Sequence, residues 1–199
     1  MKIFIDTEFI EDGRTIDLIS LGAVSEFDSR FYAQSCEFDP MKASRWVVEN
    51  VFHHLHRCGR HGTQTLDAEL FAHRGSGACM LGCPWSTRLQ MSRDFQRFVA
   101  MSVRKEIDPA QDKAEFWGYY SDYDWVAICQ LFGTMMDLPK GFPMYCRDVK
   151  QFCDDLGNPA LPEQPSNSHH ALEDARWTRT AWRYLEALNV GRRLAKENA

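Results

Sequence analysis

Ile3, Phe4 and Ile5 form an unbroken apolar run, the pattern of a strand buried on both faces, and predict a strand over 2–9. The turn signal Glu11-Asp12-Gly13 separates it from a second strand over 16–25 (IDLISLGAVS). Residues 26–29 separate that from a third over 30–36 (RFYAQSC). Connections this short predict an antiparallel meander. Beyond Pro40 the period changes, and Trp46, Val47, Asn50, Val51 and His54 share one stripe of a helix over 46–55. Residues 57–91 follow neither period and read as an irregular insertion, a kind of segment that is often functional in a compact domain. Ser92 then caps a helix reaching about Lys105, with Phe95, Phe98, Val99 and Ser102 inward and Arg93, Arg97 and Arg104 outward. Residues 115–120 (EFWGYY) read as a strand, 122–132 as a strongly apolar helix and 144–146 as a short strand. A helix over 147–156 is stopped by Gly157-Asn158-Pro159, and a Pro/Ser/Asn-rich linker (159–168) leads to a terminal helix over 171–188. Three antiparallel strands followed by alternating helices and strands predict an α/β fold around a mixed sheet.

The chain has 199 residues, which suits a single domain over 1–199 that buries roughly 70% of its unfolded surface without disulfides or structural metal. At 44% hydrophobic and 26% charged it is neither a disordered chain nor a coiled coil. Mean hydropathy is −0.43 and no apolar run approaches the ~18 residues of a membrane helix, so no membrane partner is expected. The opening residues show no apolar leader, and seven Cys is an odd number, which together predict free thiols in a reducing cytoplasm. The net charge of −5 argues against a nucleic-acid partner until its distribution is considered. Residues 57–105 hold eight Arg/Lys against three acids, so this window carries +5 and the remaining 150 residues −10. Such segregation fits a phosphate footprint, and equally a solvated surface on which arginines cluster.

Three places could carry chemistry. In Asp6-Thr7-Glu8 the i and i+2 carboxylates of a strand project to one face, where they repel unless one protonates or a hard divalent cation intervenes. The plain alternative is a strand already frayed into a solvated loop. In YYSDYDW (119–125) Asp122 suits a helix cap, which leaves Asp124 inside the first turn of an apolar helix with no structural duty. In HHALEDA (169–175) Asp174 borders the inward stripe of Ala171, Leu172, Ala175, Thr178, Trp182 and Leu185. His169 stands at the helix start, where a lone histidine is more often incidental.

In combination and order, these motifs resemble the DEDDh 3′-to-5′ exonucleases, which have a ribonuclease H-like fold. FIDTEF (4–9), YYSDYDW and HHALEDA carry the resemblance, and LISLGAV fits the family's second strand. WVVENVFHHL (46–55), YDWVAICQLFG (123–133) and the compact length are most similar to the bacterial and phage exoribonuclease AS, or polyadenylate-specific, type. The resemblance implies a mixed five-stranded sheet, three strands antiparallel and then two parallel, flanked by helices. It implies that Asp6, Glu8, Asp124 and Asp174 hold two Mg²⁺ or Mn²⁺ ions, with His169 as general base and His170 as its runner-up. Phe9 would wedge against the terminal bases of single-stranded nucleic acid, RNA in preference to DNA, with Phe71 and Trp85 as further stacking candidates. A homodimer is compatible with it, and so is a non-catalytic nucleic-acid-binding protein on the same fold. Residues 57–91 are longer and richer in Cys and His than the fold requires; Cys58, His61, His73, Cys79 and Cys83 could hold a structural zinc, although free thiols fit better.

Overall fold

A computed structural model describes residues 1–57, 82–103, 113–166 and 168–198. Strand β1 (Lys2–Glu11) is the centre of the architecture, pairing antiparallel with β2 (Ile16–Ser25) along its length and parallel with β5 (Glu115–Gly118) only over Lys2, Ile3 and Phe4. β3 (Arg30–Ser35) completes the expected meander. The sheet has six strands in the order β4-β3-β2-β1-β5-β6, where β4 is Trp85–Ser86 and β6 is Arg147–Asp148. The expected count of five is corrected by β4, which lies within the segment read as irregular. Two residues are too few to show a period, and the edge of β3 supplies their pairing: Gln34 N–H donates to Pro84 O at 2.8 Å and Cys36 N–H to Ser86 O at 3.0 Å. Residues 58–81 of that segment, including Cys58, His61, Phe71, His73 and Cys79, lie outside the described residues.

Five α-helices accompany the sheet among the described residues: α1 (Arg45–Asn50), α2 (Arg88–Ser102), α3 (Asp122–Phe132), α4 (Val149–Asp155) and α5 (Ala171–Glu197). The helix expected from Ser92 starts earlier, because Thr87 is itself a good cap and accepts from Gln90 N–H at 3.2 Å, whereas Ser92 back-bonds to Leu89 O. The strand expected over 144–146 forms instead at Arg147–Asp148, and Asp148 caps α4. Only 45–50 of the first expected helix is α-helical, followed by a 3-10 turn at Phe52–His54; α5 runs on past residue 188 to Glu197. None of the helices in the described residues is long and apolar enough to cross a membrane.

Alternation along β1 explains the layers. Ile3 and Ile5 face α2 and α3 and pack with Phe95, Trp125 and Ile128, whereas Phe4 faces α4 and α5 and packs with Val149, Cys153 and Leu185. Trp85 is 2% exposed, ring-stacked on Phe38 and bonded through its indole N–H to His56 O, so it is a core residue and not a stacking platform for substrate. Gly22, the partner of Asp6 across β1 and β2, lies under the start of α5: a Cβ there would stand 2.2 Å from the backbone carbon of Ala171. Only glycine lets the first turn of α5 rest directly on the sheet beside Asp6.

Candidate active site

Past Phe4, β1 loses its β5 neighbour, and the chain on either side of this gap runs off in opposite directions. Such a switch point at the carboxyl ends of parallel strands is where open α/β sheets form clefts. Here the unpaired side of β1 is met by α3. Thr7 donates its backbone N–H at 2.9 Å and its hydroxyl at 2.6 Å to Oδ1 of Asp124, residues 117 apart in sequence. Thr7 points away from Asp6 and Glu8 by strand alternation, so its carboxylate partner reaches the cleft from the α3 side while the other two acids rise from the α5 side. A bulge between Glu8 and Phe9 re-aims the strand immediately after the acidic pair.

The third motif arrives with α5. Asp174, 8% exposed, accepts from His169 N–H at 2.6 Å through Oδ2 and from the Gln164 amide at 2.9 Å through Oδ1. His169 has φ 70°, a left-handed conformation costly for a residue with a side chain, and the carboxylate's grip on its N–H holds it there. Its ring lies edge-on to Trp46 at 4.9 Å. A ligand atom each from Glu8, His169 and Asp174 falls within a mutual span of 4.8 Å. Asp6, Glu8, Phe9, Asp124, His169 and Asp174 all line one cleft of about 290 Å³. His170 does not: it caps α5, stacks on Tyr32 at 4.5 Å and stands 6.4 Å from His54. Geometry therefore separates the two histidines that sequence left ambiguous by one position.

Carboxylates gathered this closely resist ionisation. Burial, then the charges of Asp174 and Asp124, push Glu8 up to about 8. Burial lifts Asp124 to about 6 despite the two Thr7 hydrogen bonds, with Asp148 and Asp174 opposing its charge further. Asp6 is held well above the ordinary carboxylate range by burial and then by Asp124, Glu8 and Asp174. Without a cation, Glu8 is thus held mostly protonated at neutral pH. Hard carboxylate oxygens are the ligand chemistry of Mg²⁺ and Mn²⁺, and a cation there would relieve the repulsion.

Sequence reading missed Thr7, Gln164 and the aromatic walls of the cleft other than Phe9. Thr7 carries a weak signal, a polar residue on the apolar face of a buried strand; Gln164 carries none, since its role depends on where the linker folds. Phe9 stacks on Tyr123 at 5.8 Å, Trp46 is 53% exposed, and Tyr119 meets Trp177 edge-on at 4.9 Å. Of the basic stretch, Arg88 pairs with Asp17 and Arg97 with Asp94, so in the described residues these two arginines serve the protein's own acids.

Residues 1–186 match the family model of the 3′-5′ exoribonuclease Rv2179c-like domain. Two proteins of Mycobacterium tuberculosis, the 3′-5′ exoribonuclease Rv2179c of strain H37Rv and the 3′-5′ exoribonuclease MT2234.1 of strain CDC 1551, are each 38% identical over 176 residues. That alignment covers 88% of this chain and 88% of either relative. The match takes in the whole meander, the α3 junction and the first half of α5, and with them every acid of the cleft; by that measure the chain belongs to the Rv2179c-like 3′-5′ exoribonuclease domain family.

Proposed function

We propose that this protein is a 3′-to-5′ exoribonuclease of the DEDDh type, built on a ribonuclease H-like sheet and dependent on two Mg²⁺ or Mn²⁺ ions. The observation that carries this reading is the convergence of Asp6, Glu8, Asp124 and Asp174 with His169 in a single cleft. These four carboxylates would hold the ions, which when bound polarise the scissile phosphate and stabilise both the entering and the departing oxygen. His169 accepts a proton from the attacking water at an imidazole nitrogen, as the water oxygen bonds to phosphorus and the bond to the 3′-oxygen breaks. The products are a nucleoside 5′-monophosphate and a chain one residue shorter with a free 3′-hydroxyl. Thr7 and Gln164 orient Asp124 and Asp174 through hydrogen bonds to charged oxygens, which are about twice as strong as neutral ones. Phe9, backed by Tyr123, offers a face to unpaired terminal bases, and such stacking is tolerant of sequence. RNA is the substrate of choice because the relatives are exoribonucleases.

The test uses matched RNA and DNA oligomers labelled at the 5′ end. Stepwise shortening from the 3′ end, faster on RNA and abolished by chelation, is expected. Internal cutting or chelator-resistant turnover contradicts the reading; faster shortening of DNA assigns the same chemistry to the other sugar.

A pH effect on stability follows from the same cluster. Glu8, Asp124 and Asp6 have folded-state pKa values raised above their unfolded ones, so the stability associated with them is full below about pH 4 and is lost as pH rises, through about 6 for Asp124 and about 8 for Glu8. His170, lowered by burial, acts oppositely but only up to its ordinary value of 6.5. Above that the carboxyls prevail: each proton released costs about 1.4 kcal/mol per pH unit. Between pH 6.5 and 8 the chelated protein is expected to lose about 2 kcal/mol, or about 4–8 °C in Tm. Saturating Mg²⁺ should flatten that slope; a slope equal with and without Mg²⁺ in differential scanning fluorimetry contradicts the assignment.

A further inference from the structure

The place of Asp124 depends on where α3 begins, and α3 begins at a tight junction. β5 ends at Gly118, and only Tyr119, Tyr120 and Ser121 separate it from the helix. Tyr120 has φ 57°, a left-handed conformation that is strained for a residue with a bulky side chain. Gly118 lies so near Ser121 that a Cβ on it would stand 2.5 Å from the serine Cβ. The Ser121 side chain makes no capping bond to α3, although its carbonyl accepts from Trp125 N–H at 2.9 Å and so starts the helix. A turn this strained needs an outside restraint.

Asp148 supplies one. It stands opposite Gly118 in the parallel register of β5 and β6, and its Oδ2 accepts from Ser121 N–H at 2.8 Å. Its Oδ1 accepts from Lys150 N–H at 2.7 Å and Gln151 N–H at 3.0 Å, which caps α4. One side chain thus satisfies three backbone donors and ties the starts of two helices together, one of them the helix that carries Asp124. A carboxylate suits this better than any other capping residue, because both of its oxygens accept and both are charged. The connection to chemistry is short: Ser121 precedes Asp124 by three residues, within the turn that delivers that acid to Thr7.

We propose that Asp148 is a positioning residue for the carboxylate cluster, fixing the start of α3 and through it the place of Asp124 as a metal ligand; this rests on the exonuclease reading above. A displacement of about 1 Å at such a ligand is enough to cost ~10²-fold in rate. The bland alternative is that Asp148 only caps α4. Asp148→Ser discriminates, since serine is a strong helix cap but too short to serve α4 and Ser121 at once.

Asp148→Ser and Asp148→Ala, each full-length, are compared with the unaltered protein in three measurements. These are calorimetric titration with Mn²⁺, far-ultraviolet circular dichroism, and kcat and KM on a 5′-labelled RNA oligomer. Both variants are expected to keep their helicity, to bind Mn²⁺ about 10–100-fold more weakly and to lose kcat by a similar factor, with KM within about threefold. Unaltered Mn²⁺ affinity and kcat in Asp148→Ser overturn the proposal and leave the exonuclease reading intact. Loss of helicity in both variants overturns it too, because the carboxylate then supports the fold at large. An unaltered protein that neither binds Mn²⁺ nor shortens RNA removes the exonuclease reading itself.

Discussion

Alanine at His169 is expected to lower kcat on RNA by about 10²–10⁴-fold, the usual worth of a positioned general base, while Mn²⁺ binding persists. Binding persists because the four carboxylates and not the imidazole would hold the ions, and Asp174 accepts from the backbone N–H of residue 169, which alanine retains. Alanine keeps the left-handed backbone of residue 169 at a somewhat higher cost than histidine, so rates are compared on protein shown to be folded and the loss then reports on the ring. His170→Ala is the matched comparison. It removes a stack on Tyr32 outside the cleft, and the expected effect is a stability loss of about 0.5–1.5 kcal/mol with turnover largely preserved. Equal loss of kcat in the two variants, or loss in His170→Ala alone, would show that the base has been assigned to the wrong ring.

Asp6→Asn should separate activity from stability in opposite directions. Turnover is expected to fall by about 10³-fold or more, since the ions are asked for several kcal/mol of transition-state stabilisation. Yet the chelated protein at neutral pH should become more stable. Asparagine has the shape of aspartate without the charge that burial and Asp124, Glu8 and Asp174 oppose. Relief of that kind is typically about 0.5–2 kcal/mol, or about 1–8 °C in Tm for a chain of this size. Magnesium, expected to raise the Tm of the unaltered protein, should no longer do so in this variant. A destabilised Asp6→Asn protein in chelator would mean that the acids do not strain one another; a Tm still raised fully by Mg²⁺ would mean that Asp6 is not a ligand.

The meander was legible because each of its strands is long enough to show a period and its turns carry Gly and Asp at the required positions. α3 and α5 were legible for the same reason, and the acids stood out as charges with no structural duty on faces that must be buried. β4 and β6 were not, since a strand of two residues owes its existence to the edge it pairs with. The start of α2 shifted because two residues, Thr87 and Ser92, could each serve as a cap and only packing chose between them. Trp85 read as an available aromatic platform, but β4 carries it into the core against Phe38.

Local sequence alone determined that the chain would alternate buried strands and amphipathic helices, and that five chemically able residues would fall at strand and helix ends. It could not determine that they meet. Thr7 reaching Asp124 across 117 residues, Gly22 admitting the first turn of α5 and the carboxylate of Asp174 holding His169 in place are decided by tertiary structure. So are the surroundings of the neighbouring histidines, His169 beside Glu8 with a left-handed backbone and His170 stacked on Tyr32. The physical reason is range: propensity and period act over a few residues, whereas charge repulsion and hydrogen bonding act between whatever surfaces the folded chain brings together.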